Sequence, residues 1–293
     1  MKRVFPLHIH ISTLFLLLIV LVGGLIGGFG YKASRAMLID AASDLTQRIS
    51  REVLNDLKGF VAPAEMTTKL LRHDTSIATG TFRERWQKLH LIRDALDESV
   101  AVTSIYVGDE TGSFFLMRRI TTDFERKAFG APKDTAYIVQ GIERRPNAPW
   151  GRFVFLDTAL KTLREDDRPE YVSAYDPRSR EWYKEAMASS DLIRTAPYPF
   201  FTTGEVGNTI AAATDGRSAV IGADIRFVTL NDSLARNKLT PGTHIIMANA
   251  QGFTIAHEDA SKLIRSDSGS DASPSLSRLE DLGIPVLAKA GTL

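Results

Sequence analysis

Six residues in the middle of the chain carry the groups needed to hold a small zwitterion: Tyr175, Arg180, Trp182, Tyr183, Tyr198 and Asp224. The first four fall within one stretch, YDPRSREWY, with the spacing Y-x-x-x-x-R-x-W-Y around a proline. A guanidinium presents two parallel N–H donors that match a carboxylate. An indole adds one more donor together with an apolar wall. A carboxylate flanked by phenolic hydroxyls can hold an ammonium, and the tyrosine faces add cation–π attraction. A free α-amino acid carries both ions on one carbon, so this set of side chains implies a small-ligand pocket. Several of these positions also have a plainer reading. Arg178 is a rival arginine whose simple role is an ion pair with Asp176; Asp224 could end a strand, and Trp182 could be ordinary core.

The rest of the composition narrows the alternatives. The chain has 293 residues, 24% charged and 44% apolar, with a formal net charge of +1. That is an ordinary globular balance, and the basic residues are spread too evenly for a nucleic-acid footprint or a polybasic membrane tail. There is no cysteine, which removes disulfides, thiolate metal sites and cysteine nucleophiles. Neither a nucleophile elbow nor a P-loop glycine pattern occurs, so no catalytic residue, cofactor or metal is expected. His244 and His257 read as surface or turn positions. His8 and His10 read as interfacial, and the run Glu165-Asp166-Asp167 as a solvated loop.

Such a pocket needs elements to position it and a compartment to serve. From Leu7 to Tyr31 there is no charged residue, and STLFLLLIVLVGGLIGGFGY is long enough to cross about 30 Å of hydrocarbon as a helix. Lys2 and Arg3 before it favour an inside N-terminus, opposed only by Lys32 and Arg35. The run is too long for a signal-peptide core, so it reads as an uncleaved anchor with everything after residue 31 extracytoplasmic. Apolar residues then recur at three- to four-residue intervals from Met37 to Leu57, predicting a long amphipathic helix from Lys32 to about Gly59. Its stripe fits a homodimer seam and a cover for the chain's own sheets equally well. Phe82, Trp86, Leu89 and Ile92 predict a helix over 81–96. AVTSIYVGDETGSFFLMRRI reads as a hairpin turning at Glu110-Thr111-Gly112, GRFVFLDTAL as a strand, and YVSAY as a short strand feeding a helix at REWYKEAMAS. NTIAAAT and SAVIGADIRF predict two strands around Asp215-Gly216, and THIIMANAQGFTIAHED another strand pair bending at Gln251-Gly252. The Ser-rich run 266–278 reads as a loop.

The anchor, the outward helix, and the motifs DPRSREWY and IGADI together resemble the double Cache domain. These are the extracytoplasmic sensors of bacterial chemoreceptors, histidine kinases, nucleotide cyclases and HD-GYP phosphodiesterases. The resemblance covers roughly residues 32 to 260 and is most specific from 171 to 227. It implies an α+β fold: a transmembrane helix (1–31), a long extracytoplasmic helix (32–74), a membrane-distal PAS-like antiparallel module with the pocket (75–230), and an incomplete proximal module (231–293). The six residues are similar to those of the amino-acid-recognising subset. Carried over, Arg180 and Trp182 take the ligand's carboxylate, while Tyr198 and Asp224 take its ammonium with Tyr175 or Tyr183 helping. The expected function is signal input by binding an amino acid or similar small molecule, with the membrane and a second copy as partners. The alternative expectation is the N-terminal fragment of a cyclase, phosphodiesterase or chemoreceptor, because no second span or HAMP segment precedes Leu293.

Overall fold

A helix, α1, runs from Leu7 to Leu71 in the structure, a computed structural model that describes residues 7–78, 80–144, 149–200, 206–238, 240, 242–265, 275–285 and 287. The chain divides into two units, Met1–Leu54 and Asn55–Leu293. The described part of the first unit is helical, and the apolar side chains of its N-terminal run are exposed, Leu14, Leu17 and Ile26 among them. It is long and apolar enough to cross a membrane. A helix suits that setting because it satisfies its own backbone polar groups. Lys2 and Arg3 lie outside the described residues.

The helix does not stop near Gly59 as the sequence pattern predicts; it continues through Pro63. An internal proline removes one backbone hydrogen bond. Tertiary packing outweighs that loss, since Ala64, Thr68 and Leu71 repeat at helical spacing and are all buried. The predicted helix over 81–96 is in fact broken. After α2 (Thr75–Ala78) come α3 (Phe82–Trp86) and α4 (Leu89–Asp97), interrupted at Gln87-Lys88. Thr81 and Glu84 form a capping box at the start of α3, and buried Arg85 donates to the Ile77 carbonyl and to Asp109. The break lets Phe82 and Trp86 meet one another and Phe82 meet Phe115 and Trp150, while α4 turns its own apolar face to the core.

The body of the second unit is an antiparallel sheet. Its strands are β1 (Val102–Asp109), β2 (Phe114–Arg119), β3 (Tyr137–Glu143), β4 (Trp150–Leu156), β5 (Thr162–Asp167), β6 (Ile193–Arg194), β7 (Tyr198–Pro199), β8 (Val206–Ala213) and β9 (Ala219–Arg226). They lie in the order β5-β4-β3-β2-β1-β9-β8-β6, with β7 also on β8. The hairpin predicted at Glu110-Thr111-Gly112 forms, with Gly112 in the left-handed region (φ 84°) that glycine adopts without penalty. The one predicted around Asp215-Gly216 forms as β8–β9. Both faces of the sheet are covered. Ile105, Phe115, Met117, Val139 and Ile221 face α4 and the end of α1. Tyr106, Phe114, Leu116, Ile138 and Phe155 face α6 (Pro169–Ala174) and α7 (Glu181–Ala188). A short helix, α5 (Asp123–Phe129), opens with a capping box at Thr122 and Glu125.

Two readings are corrected here. The first four residues of YVSAY are helical rather than extended and Tyr175 caps the helix in extended backbone, because Pro169 presets the first turn of α6 and Tyr171 stacks on Tyr175 with centroids 5.5 Å apart. Local β propensity yields to that packing. The acidic run Glu165-Asp166-Asp167 is an edge strand, not a loop: Arg152 on β4 pairs with Glu165 and Asp167, each at 3.0 Å. Charges on an edge strand also discourage pairing with a foreign strand.

Beyond the sheet, α8 (Val228–Arg236) leads to β10 (Ile246–Ala248) and β11 (Thr254–His257), which pair as predicted around Gly252. β12 (Ile264–Arg265) pairs with β13 (Ser275–Leu276), so the end of the predicted Ser-rich loop is a strand; residues 266–274 of it lie outside the described residues. His257 is buried on β11, not at a turn, and its Nδ1 accepts from the Asp259 amide at 2.8 Å. His244 is exposed and pairs with Glu258 at 3.0 Å. Phe155 is fully buried on β4. Phe155→Ala is expected to cost about 3–5 kcal/mol, read from urea unfolding of the whole chain in detergent; a loss below about 1 kcal/mol would show that this face is not core.

Candidate functional site

One row of polar side chains crosses the largely apolar face of the sheet that packs against α6 and α7. In register, Ser104 on β1 lies opposite Arg118 on β2 and, on its other side, opposite Asp224 on β9. Asp224 in turn lies opposite Thr209 on β8. Arg118, Ser104, Asp224 and Thr209 therefore form a single rung across four adjacent strands. Tyr106, two residues along β1 from Ser104, lies over Gly222, where a Cβ would overlap its ring. That glycine lets the phenol lie flat across the sheet and reach the rung.

The rung serves a carboxylate. Ser104 Oγ donates to Asp224 Oδ2 at 2.7 Å, and Tyr106 OH and Thr209 Oγ1 donate to Oδ1 at 2.7 and 2.8 Å. Thr209 has one hydroxyl proton, so its 2.6 Å contact with Tyr198 is one in which Tyr198 donates. Asp224 is 5% exposed. Burial pushes its carboxyl above the ordinary value, opposed by the Arg118 charge and by the hydrogen bonds from Tyr106, Ser104 and Thr209. Oδ2 accepts one direct hydrogen bond, so a further donor can still approach it. Burial also raises the Tyr106, Tyr171, Tyr175 and Tyr198 phenols, which stay neutral at physiological pH.

The opposite wall comes from the segment first singled out in the sequence. The Asp176 side chain accepts from the Arg178 amide at 2.9 Å and caps a single turn at Pro177–Ser179. Pro177 and Trp182 pack over Gly108 of β1, where a Cβ would meet them both. The turn sets Arg180 just before α7 and points Trp182, in its first turn, at the sheet. Trp182 meets Tyr106 edge-on at 4.9 Å and hydrogen-bonds the Tyr175 hydroxyl. The Arg180 guanidinium lies 5.8 Å from the centre of the Tyr175 ring. Between the two walls is a cavity of about 30 Å³, bordered by Tyr106, Arg118, Tyr175, Arg180, Trp182, Tyr198 and Asp224. Arg180, Trp182 and Tyr198 also line a wider outer cleft of about 320 Å³.

The structure therefore brings five of the six sequence candidates to one cavity: Tyr175, Arg180, Trp182, Tyr198 and Asp224. Tyr183 does not line it. It lies against Trp182, with Asp109, Glu110 and Arg178 as its charged surroundings. Arg178 makes the ion pair with Asp176 expected of it, at 2.7 Å. Sequence reasoning missed Ser104, Tyr106, Arg118 and Thr209. Among the described residues no three His, Asp or Glu side chains gather at a spacing suited to a metal.

No family model matches the chain. Adenylate cyclase 1 of Rhizobium meliloti (strain 1021) is 28% identical over 251 residues, which is 85% of this chain and 37% of the cyclase. Methyl-accepting chemotaxis protein McpC of Bacillus subtilis (strain 168) is 27% identical over 117 residues, 39% of this chain and 18% of McpC. The chain thus spans well under half the length of either relative. Among solved structures, the ligand-binding domain of the Pseudomonas aeruginosa PAO1 amino acid chemoreceptor PctB, in complex with L-Arg, has 18% identity and a TM-score of 0.46, covering 83% of this chain and 70% of that one.

The close fit of Tyr106 over Gly222 yields a direct test. Gly222→Ala is expected to push the phenol off the rung and cost about 1–3 kcal/mol of stability, measured by urea unfolding of the whole chain in detergent. A neutral substitution would show that Tyr106 does not need the glycine.

Proposed function

We propose that this chain is the membrane-anchored, extracytoplasmic input segment of a bacterial signalling protein, of the double Cache type, and that it binds a free α-amino acid between α7 and the sheet. The observation that carries this reading is a buried carboxylate, Asp224, sharing one cavity with a guanidinium, Arg180, at its mouth. The ligand's carboxylate meets Arg180. Its ammonium meets Asp224 Oδ2 and the Tyr198 hydroxyl, within an aromatic wall of Tyr106, Tyr175 and Trp182. The similarity to chemotaxis proteins and to a cyclase supports a signalling role.

The inner cavity has room for only a few water molecules. Entry of an amino acid therefore requires Arg180, Trp182 and Tyr198, the walls shared with the outer cleft, to move outward from the sheet. The Trp182 donor is engaged by Tyr175 in this arrangement and changes partner when a carboxylate arrives. Two arrangements of α7 result, and a ligand shifts their balance only by binding one more tightly than the other. Ala64 and Leu71 of α1 belong to the core on the opposite face of the same sheet, which gives such a shift a packed route to the helix. Residues 75–230 form the distal, ligand-binding module and 231–293 part of the proximal one. The apolar residues Met37, Leu38 and Leu45, exposed along α1, suit packing against a second copy. The match to Adenylate cyclase 1 over 85% of this chain favours a nucleotide cyclase as the output, with a chemotaxis-type output as the second reading.

Calorimetric titration of the detergent-purified chain against the proteinogenic amino acids tests the assignment. At least one is expected to bind saturably. Asp224→Ala and Arg180→Ala should each weaken it by about 2–5 kcal/mol, since each strands an ion of the ligand. Absence of binding across the panel, or a variant within twofold of wild type, contradicts the reading.

A further inference from the structure

The rung's own cation, Arg118, faces Asp224 but has donors that the amino-acid reading leaves unused. Arg118 is 2% exposed and borders the cavity. Its Nη2 stands 4.0 Å from Asp224 Oδ2, beyond hydrogen-bond reach, and its guanidinium lies 5.9 Å from the centre of the Phe129 ring. Nε and Nη1 are buried with no hydrogen-bond partner among the described residues. Buried donors left unsatisfied are costly, and an arginine offers five in a fixed fork suited to an oxyanion.

The cavity's charge balance points the same way. Its lining contains two guanidinium groups, Arg118 and Arg180, against one carboxylate, Asp224. The phenols around them are neutral. A zwitterion leaves the net charge of this lining at +1, whereas a ligand of net charge −1 brings it to zero. Because Arg118 and Asp224 are close neighbours, the ammonium and the second oxyanion of that ligand must also be close.

Resting on the amino-acid reading above, we infer that the pocket selects an acidic α-amino acid, whose side-chain carboxylate is held by Arg118 while Arg180 and Asp224 hold its α-carboxylate and ammonium. Arg118 is then the specificity residue of the site, and the ligand completes the rung from its open side.

Isosteric pairs separate this inference from the reading beneath it. The whole chain, purified in detergent, is titrated calorimetrically with aspartate, asparagine, glutamate, glutamine, alanine and succinate. Aspartate or glutamate is expected to bind at least tenfold tighter than its amide. Arg118→Gln should reduce that preference to within threefold, and Arg118→Lys should retain most of it. Equal or tighter binding of the amides or alanine by the wild-type chain overturns the inference and leaves the amino-acid reading standing. So does an Arg118→Gln variant that keeps the tenfold preference. Succinate binding as tightly as aspartate overturns it too, because it assigns the site to a dicarboxylate without an ammonium. Failure of every amino acid to bind overturns both.

Discussion

A single buried carboxylate sets the terms for this protein. Asp224 sits in the middle of an antiparallel sheet, under a layer of aromatic rings, where an ionised group loses its hydration. Three hydroxyl donors from three side chains, and a guanidinium one strand further on, compensate for that loss. Asp224 borders the cavity, which is where the proposed function places the ligand's ammonium.

The surrounding architecture follows from keeping this row in register. Pairing of β1 with both β2 and β9 places Ser104 between Arg118 and Asp224, and a one-residue slip would turn the whole set to the opposite face. The two apolar layers make that slip costly, because every inward ring on β1 and β2 would change sides with it. Glycines at 108 and 222 then allow a proline–tryptophan wall and a tyrosine to approach the sheet more closely than any side-chain-bearing residue would permit. The sheet supplies one wall of the cavity, and the segment around α7, which carries Arg180 and Trp182, supplies the other and also borders the outer cleft.

Much of this was legible in the sequence, and the gaps have physical reasons. The apolar run before Lys32, the hairpin at Gly112 and the turn at Asp215-Gly216 are local signals, and all three correspond to formed elements. Those two turns alone fix Ser104 opposite Arg118 and Thr209 opposite Asp224. What joins the halves is the pairing of β1 with β9, more than a hundred residues apart in sequence, and no local pattern encodes it. Arg118 was overlooked beside Arg119, yet strand alternation separates them: Arg118 shares its face with Phe114 and Leu116, while Arg119 donates to the Ser99 and Val102 carbonyls. YVSAY has the strand propensity of its tyrosines, which the helical turn begun by Pro169 and the stacking of Tyr171 on the capping Tyr175 override.

The most direct measurement is the titration of the Asp224 carboxyl carbon by NMR, in chain labelled with carbon-13 aspartate and assigned by difference from Asp224→Asn. Burial keeps Tyr106, Tyr175 and Tyr198 neutral throughout the acid range, and Asp224 is the carboxyl bordering the cavity. Its midpoint in the ligand-free chain is predicted to lie above the ordinary value of 3.8, because burial opposes the charged form. A saturating amino acid should move it downward, since an ammonium favours the ionised carboxylate, and binding should correspondingly weaken as pH falls through the ligand-free midpoint. A midpoint at or below 3.8 without ligand, or one that ligand leaves in place, would contradict the account.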